Sequence, residues 1–126
     1  MPSVTQFTGY LMLNTAAITA YTSTRIFHGM IPETQITLPA INYMVVDKMR
    51  QAATNVVRAH MQINVRDTNP ERVWTIAGLV KDTFDNYQGT AAGFDAQCGY
   101  YDNSRMLTEP NNVYVVPLDI YITYKE

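Results

Sequence analysis

Ten residues in the middle of the chain alternate strictly between apolar and polar side chains. Successive side chains of a β-strand point to opposite faces of a sheet, so this run, residues 57–66, predicts a strand with one buried and one wet face. The apolar positions are Val57, Ala59, Met61, Ile63 and Val65, and the polar positions are Arg58, His60, Gln62, Asn64 and Arg66.

A helix over residues 69–87 is predicted directly after this strand. The sequence Thr68-Asn69-Pro70-Glu71 supplies a capping side chain, a proline in the first turn and an acid that the helix dipole favours, and Gly89 marks the end. An amphipathic helix that follows a half-buried strand usually packs back on the same sheet. The predicted apolar stripe consists of Val73, Ile76, Ala77, Val80, Phe84 and Tyr87.

The N-terminal segment from Ser3 to Tyr21 is also predicted to be helical. Its apolar residues recur at helical spacing, and Ser3 with Gln6 fits a capping box. Gly9 inside this helix costs about 1 kcal/mol relative to alanine. A short strand over residues 25–28 is expected to follow.

Three further strands are predicted from β-branched and aromatic content, at Ala40–Val46, Cys98–Leu107 and Val113–Tyr124. Pro117 lacks an N–H, so it calls for an edge position or a bulge in the last strand. The element order indicates an α+β fold with a mainly antiparallel, four- to five-stranded sheet and two helices packed on one face.

The connecting segments are expected to be loops. Residues 29–39 carry prolines and an unusual share of apolar side chains, and residues 47–55 form a polar break. Residues 88–97 are rich in glycine and alanine and are predicted to be a mobile loop with Phe94 exposed.

Length and charge limit the classes of protein to which the chain can belong. At 126 residues it fits one domain, 1–126, and its nine Lys and Arg against eleven Asp and Glu leave a net charge of −2, which argues against a dedicated polyanion-binding protein. Charged residues make up 16% of the chain where about 25% is usual. No apolar stretch is long enough to span a membrane and no targeting signal is apparent, so we expect a soluble protein of the cytoplasm in which it is made.

The sequence offers little material for catalysis, a metal or a cofactor. Cys98 is the one cysteine, and His28 and His60 are too far apart for zinc-ligand spacing. Residues 89–93 contain two glycines but follow a helix and precede no Lys-Ser or Lys-Thr, so they do not form a phosphate loop. We therefore expect no enzyme, no cofactor and no metal.

Two alternatives stay open. One is a small ligand-binding or hydrolytic domain in which His60 works beside Asp119 of a neighbouring strand. The other is a nucleic-acid-binding module that uses Lys48, Arg50, Arg58 and Arg66.

The order of these signals resembles the tail-terminator, or tail-completion, proteins of tailed bacteriophages. The resemblance rests on four places: RIFHG at 25–29 with Pro32 beyond, LPAINY at 38–43, residues 57–66 leading into helix 69–87, and VPLDIY at 116–121. It spans nearly the whole chain.

The resemblance implies a structural protein of the virion without a cofactor or a reaction. It implies a ring, usually of six subunits, that caps the tail tube, ends its polymerisation and joins the head connector, with phage DNA passing through the lumen. It therefore implies a virion location in the tail or neck, assembly in the host cytoplasm, and the tail tube protein and the head-tail connector or adaptor as partners. A head-tail adaptor or another neck ring protein is the alternative within the same class.

A ring needs two different contact patches on each subunit, and burial of those patches against neighbours is consistent with the low charge fraction. We expect the subunit contacts in three segments: residues 29–39, residues 47–55 and residues 88–101. The candidate contact residues are Met30, Ile31, Ile36, Lys48, Met49, Arg50, Phe94, Tyr100 and Tyr101.

Overall fold

The computed structural model describes residues 3–31, 37–51 and 53–126. In these residues the predicted N-terminal helix is divided in two, α1 (Val4–Leu13) and α2 (Ala16–Thr22). The capping box is confirmed, because the Gln6 N–H donates to Ser3 Oγ at 3.1 Å and the Ser3 N–H donates to Gln6 Oε1 at 3.0 Å. The division falls at Asn14 and Thr15, whose side chains bond to carbonyls of the preceding turn, which competes with continuation of the helix.

In the part of the chain that the structure describes, seven strands form one curled, mixed sheet and there are three α-helices. The α+β class is confirmed, and the expected four to five strands and two helices are too few. The strands are β1 (Ile26–His28), β2 (Ala40–Gln51), β3 (Val56–Asp67), β4 (Gly89–Ala91), β5 (Phe94–Ser104), β6 (Leu107–Glu109) and β7 (Val113–Lys125). Their order is β1-β2-β3-β7-β5-β4, with β6 also paired to β7. Only β1 and β2 run parallel, and every other pair in the described ranges is antiparallel.

The polar break predicted at residues 47–55 is wrong over its first half, where β2 continues to Gln51. The long strand β3 offers ladder partners as far as Val56, so the polar residues of β2 stay in the sheet and only a short hairpin turn follows. Between Val45 and Asp47 the register shifts by one residue, which is a β-bulge at Val46.

The mobile loop predicted at residues 88–97 is also wrong, because β4 and the start of β5 form a hairpin there. Phe94, which the sequence predicts to be exposed, is only 6% exposed. Its ring lies 4.8 Å from that of Phe7 in α1 and 4.9 Å from that of Tyr124 in β7. Contacts with residues far away in the sequence therefore order this segment.

Helix α3 (Pro70–Phe84) begins as predicted and ends earlier than predicted. Asn69 Oδ1 accepts from the backbone N–H groups of Glu71 and Arg72 at 2.9 and 3.0 Å, which confirms the cap. After Phe84 the chain turns to bond to β5, where the Gly99 N–H donates to the Tyr87 carbonyl at 2.8 Å. Those sheet contacts replace the last turn that the apolar stripe predicted.

The helices pack on one face of the sheet, as expected, and bury the apolar positions of the alternating strand. The core joins the five apolar residues of β3 to the α3 stripe and to α1. Pro117 lies in a strand with neighbours on both sides, and the β5 side is interrupted beside it, because β5 ends opposite Leu118 and β6 begins opposite Val115. The predicted irregularity is thus in the neighbouring strand.

Candidate interaction surface

The sheet face opposite the helices, here called the open face, is lined mainly by polar and aromatic side chains of regular strands. The core unites the helices with the other face, and no helix among the described residues packs on this one. The open face carries Met44, Asp47 and Met49 of β2, Arg58, His60, Gln62, Asn64 and Arg66 of β3, Pro117, Asp119, Tyr121 and Thr123 of β7, and Cys98 and Tyr100 of β5.

A cluster of polar and aromatic side chains lies at the centre of the open face. His60 Nε2 is 2.8 Å from Asp119 Oδ1, and the imidazole stacks on the Tyr121 ring with 4.7 Å between centroids. The Arg58 guanidinium also lies over the Tyr121 ring, with Cζ 4.2 Å from the ring centroid, and its positive charge faces the electron-rich face of the ring. The cross-strand register brings these residues together, since His60 is opposite Tyr121.

The contact between His60 and Asp119 that the ligand-binding or hydrolytic alternative requires is therefore present. Both side chains are partly exposed, at 23% and 30%.

A groove of about 540 Å³ lies at the other end of the open face, beside β6. Arg66 crosses it, with Nε 3.1 Å from Glu109 Oε1 and Nη1 bonded to Asn42 Oδ1. Met30 and Leu107 form apolar parts of its rim. The groove combines an ion pair with apolar side chains, a composition that is typical of protein–protein interfaces.

The structure separates the four basic residues of the nucleic-acid alternative. Arg58 and Arg66 lie on the open face, where each is held by a neighbour. Lys48 and Arg50 are opposite the core-facing Ala59 and Val57, so their side chains lie on the helix side of the sheet. The four charges do not form one patch.

The candidate contact residues of the first segment lie partly outside the described residues. Met30 is 84% exposed and Ile31 is half-buried, and both line the groove. Ile36 lies outside the residues that the structure describes.

The second segment keeps its candidates on the surface, although they lie in a strand and not in a loop. Lys48, Met49 and Arg50 are exposed at the outer end of β2. Met49, at 69% exposure, belongs to the open face because it is opposite Arg58.

The third segment divides between the two faces. Tyr100 is 49% exposed on the open face, opposite Tyr121. Tyr101 is half-buried on the helix side, where the Lys81 ammonium lies 4.7 Å from its ring centroid. Phe94, as described above, belongs to the core and not to the free surface of a single subunit.

Several exposed apolar residues were not among the candidates. Leu107, the first residue of β6, and Met106 just before it are 43% and 39% exposed, and Val46 is 52% exposed at the bulge. Trp74, 43% exposed, lies on α3. The sequence carries one signal for the exposure of Val46: two adjacent apolar residues, Val45 and Val46, break the alternation of a regular strand.

Among the described residues, two side chains away from the open face have shifted pKa values. Burial raises the pKa of the Tyr43 phenol. The hydrogen bond to Asp67 raises the pKa of the Arg72 guanidinium, and Asp67 itself is fully buried at the junction of β3 and α3.

Among the described residues no cluster of three or more His, Cys, Asp or Glu could hold a metal ion, and no helix is long and apolar enough to span a membrane.

Comparison with known proteins gives a likeness of fold. No protein-family model matches the chain, and no curated protein matches it. A chain in the solved structure of the virion of a native gene transfer agent particle superposes with a TM-score of 0.76 at 9% identity, over 94% of this chain and 92% of its own. A second solved chain, which carries no functional name, superposes with a TM-score of 0.60 at 13% identity, over 98% of this chain and 99% of its own. The fold is therefore shared, nearly end to end, with a chain of a virion particle.

Proposed function

We propose that this protein is a structural virion assembly protein of a tailed bacteriophage, acting without catalysis. The observation that carries the proposal is the fold, which matches a chain of a gene transfer agent virion over 94% of the present chain. The four sequence places that resemble the tail-terminator family support it independently. We place the protein in the virion after assembly in the host cytoplasm.

In its finer form, the proposal is a ring of six copies that caps the tail tube, ends tube polymerisation and presents the joining face to the head connector. Phage DNA passes through the lumen without sequence-specific binding. A net charge of −2 and the absence of a single basic patch among the described residues fit a lumen that does not hold DNA.

The open face supplies a surface suited to contacts between proteins. Aromatic residues, methionine and arginine are enriched in protein interfaces, and the open face carries Tyr100, Tyr121, Met49 and Arg58 in adjacent positions. Met30 and Ile31 beside the groove, and Lys48 and Arg50 at the end of β2, remain candidate subunit contacts.

The test is the state of the purified protein and its place on tails. We expect size-exclusion chromatography with light scattering to give a mass several times 14.3 kDa, and negative-stain images to show annuli at the ends of purified tails. A protein that is monomeric at every concentration and never localises to tail ends contradicts the proposal.

A matched pair of variants tests the open face within that assay. Tyr100 and Tyr10 are similarly exposed, at 49% and 45%, but Tyr10 lies on α1. We expect Tyr100→Asp to weaken assembly and Tyr10→Asp to leave it unchanged. Equal effects of the two substitutions would show that the open face is not a subunit contact.

A second candidate function is favoured by one observation, the 2.8 Å contact between His60 and Asp119. A small ligand-binding or hydrolytic domain would use this pair as a base and its orienting carboxylate. If that function holds, His60→Ala abolishes an activity and leaves folding intact. The assembly proposal predicts that His60→Ala has no activity to remove.

A further inference from the structure

The groove beside β6 contains a buried amide side chain that has no partner within the described part of the protein. Asn64 is 8% exposed, and its side-chain amide makes no hydrogen bond with another described residue. On one side, the amide of Asn42 is already bonded to the Gly29 carbonyl and to Arg66. On the other side, Pro117 has no polar side-chain atom. Buried polar side chains are hydrogen-bonded in most proteins, so this exception calls for a partner from outside the subunit.

The Asn64 amide is open to the groove and is not sealed within the sheet. Among the described residues, no buried side-chain nitrogen or oxygen lacks both solvent contact and a hydrogen-bond partner, so the Asn64 amide can be reached from the groove that it lines. Gln62 lines the same groove, and its side chain also makes no hydrogen bond with a described residue. Each amide offers N–H donors and an acceptor oxygen.

The spacing of these two amides matches the repeat of an extended polypeptide. Gln62 and Asn64 lie two residues apart on one face of β3, which places them about 7 Å apart along the strand. Peptide groups that point to the same side of an extended chain repeat at the same distance. A segment lying along β3 can therefore direct successive N–H and C=O groups toward the two amides.

The walls of the groove lie on opposite sides of that path. Met30 and Ile31, which follow β1, form one wall, and Arg105 and Leu107, at the start of β6, form the other. β2, β3 and β7 lie between them as the floor. If the backbone groups of an extended segment point to the floor, its side chains point alternately to the two walls. One wall is apolar, and the other combines an apolar side chain with a guanidinium.

The groove carries one uncompensated positive charge. Arg105 is exposed and forms no ion pair with a described acidic residue. Arg66 and Glu109 neutralise each other, so the charge of Arg105 remains, although the whole chain has a net charge of −2. The Glu109 carboxylate disfavours a polyanion in the groove, whereas a single carboxylate can pair with Arg105.

We propose that the groove binds an extended segment of a partner protein, in which an acidic side chain meets Arg105 and an adjacent apolar side chain meets Met30. The backbone of the segment bonds to the amides of Asn64 and Gln62. The inference rests on the proposed function only in making that partner another protein of the virion. Binding of the segment is a property of a single subunit and can be measured without a ring.

The test selects binders to the purified full chain from a library of random heptapeptides displayed on the cell surface. We expect the enriched peptides to share an acidic residue with an apolar neighbour. Fluorescence anisotropy of one such peptide should give a Kd about tenfold or more higher for Arg105→Glu and for Asn64→Leu than for wild type. Arg50→Glu changes the net charge equally but lies outside the groove, and it should bind like wild type.

A charge exchange identifies the contact of the acidic residue. Replacing that residue of the peptide by lysine should abolish binding to wild type and restore binding to Arg105→Glu. No enrichment, enriched peptides without an acid, or equal binding by Arg105→Glu and Arg50→Glu would overturn the inference. Arg105 is exposed, so this comparison holds even if Asn64→Leu does not fold.

Thermal unfolding separates a binding role of Asn64 from a structural one. An amide without a partner contributes no hydrogen bond to the fold, so Asn64→Leu should bind the peptide weakly and unfold at the same temperature as wild type or a higher one. A lower unfolding temperature would show that the amide stabilises the subunit and would overturn its assignment to a partner.

Light scattering separates this inference from the proposed ring. If Arg105→Glu lowers the mass of the assembled protein and Arg50→Glu does not, a second copy occupies the groove and the inference is overturned. A ring without peptide binding overturns the inference and leaves the ring intact. A wild-type protein that binds the selected peptide and never assembles contradicts the ring and supports the groove.

Discussion

Gly9 lies inside α1 against the hydroxyl of Tyr43, and its replacement by alanine tests the packing of helix on sheet. A Cβ added at Gly9 would lie 2.2 Å from Tyr43 Oη and 2.9 Å from Cζ. The Tyr43 ring is 8% exposed and packs beside His28, with 5.4 Å between ring centroids, so it has little room to move.

Two effects of opposite sign decide the result of Gly9→Ala. Helix propensity favours alanine by about 1 kcal/mol. Overpacking a filled core costs about 1–3 kcal/mol, and an approach this close belongs at the upper end of that range. We therefore expect Gly9→Ala to lower the free energy of unfolding by about 2 kcal/mol, which corresponds to a Tm lower by roughly 6–10 °C.

The assay is urea and thermal unfolding of three variants followed by circular dichroism. Gly78→Ala is the matched control, because a Cβ there meets nothing within 4 Å, and we expect it to stabilise the protein by about 1 kcal/mol. Adding Tyr43→Phe to Gly9→Ala removes the nearest atom but leaves Cζ, so it should recover part of the loss. Gly9→Ala that is as stable as Gly78→Ala would refute the reasoning.

Three other variants test separate parts of the fold. Gly99→Ala should destabilise by about 3 kcal/mol in denaturant unfolding, because its Cβ would lie 2.1 Å from the Phe84 carbonyl oxygen, a backbone atom; a loss below that of Gly9→Ala would contradict this. Asp67→Asn should cost about 2 kcal/mol, since it leaves the half-exposed Arg72 without its buried carboxylate, and an unchanged unfolding midpoint would contradict it. Burial raises the pKa of the Tyr43 phenol in the folded protein, so the stability that the neutral phenol contributes is complete below the pKa of the unfolded chain and is lost as the pH rises through the pKa of the folded protein. The free energy of unfolding of Tyr43→Phe should therefore fall less than that of wild type between about pH 9 and 11, and equal falls would contradict the raised pKa.

The parts of the fold that could be predicted from the sequence are those fixed by local chemistry. The alternation of residues 57–66 and the Asn69-Pro70 cap depend on neighbours in the chain, and both are confirmed. Phe94 could not be placed, because its glycine- and alanine-rich surroundings indicate a loop while its partners Phe7 and Tyr124 are distant in sequence.

The candidate surface shows the same division. The register of β3 with β7 brings His60 beside Asp119, as one of the two alternatives requires, and alternation alone was enough to assign both residues to the same face. The sequence predicts a loop at Lys48 and Arg50, because nothing local indicates that β3 is long enough to hold them in a strand. Residues whose placement depends on a partner strand need the whole sheet before they can be located.

The extra residue at Val46 works as a phase shift within β2. Side chains at 41, 43 and 45 lie opposite core-facing residues of β3, whereas beyond the bulge it is the even-numbered Lys48 and Arg50 that do so. If Val46 were instead paired one to one with a residue of β3, the alternation would run on without a shift and would bring Asp47 and Met49 to the helix side and both cations to the open face. A residue inserted into an antiparallel strand can thus be absorbed as a bulge, so that the residues beyond it keep their partners and their faces.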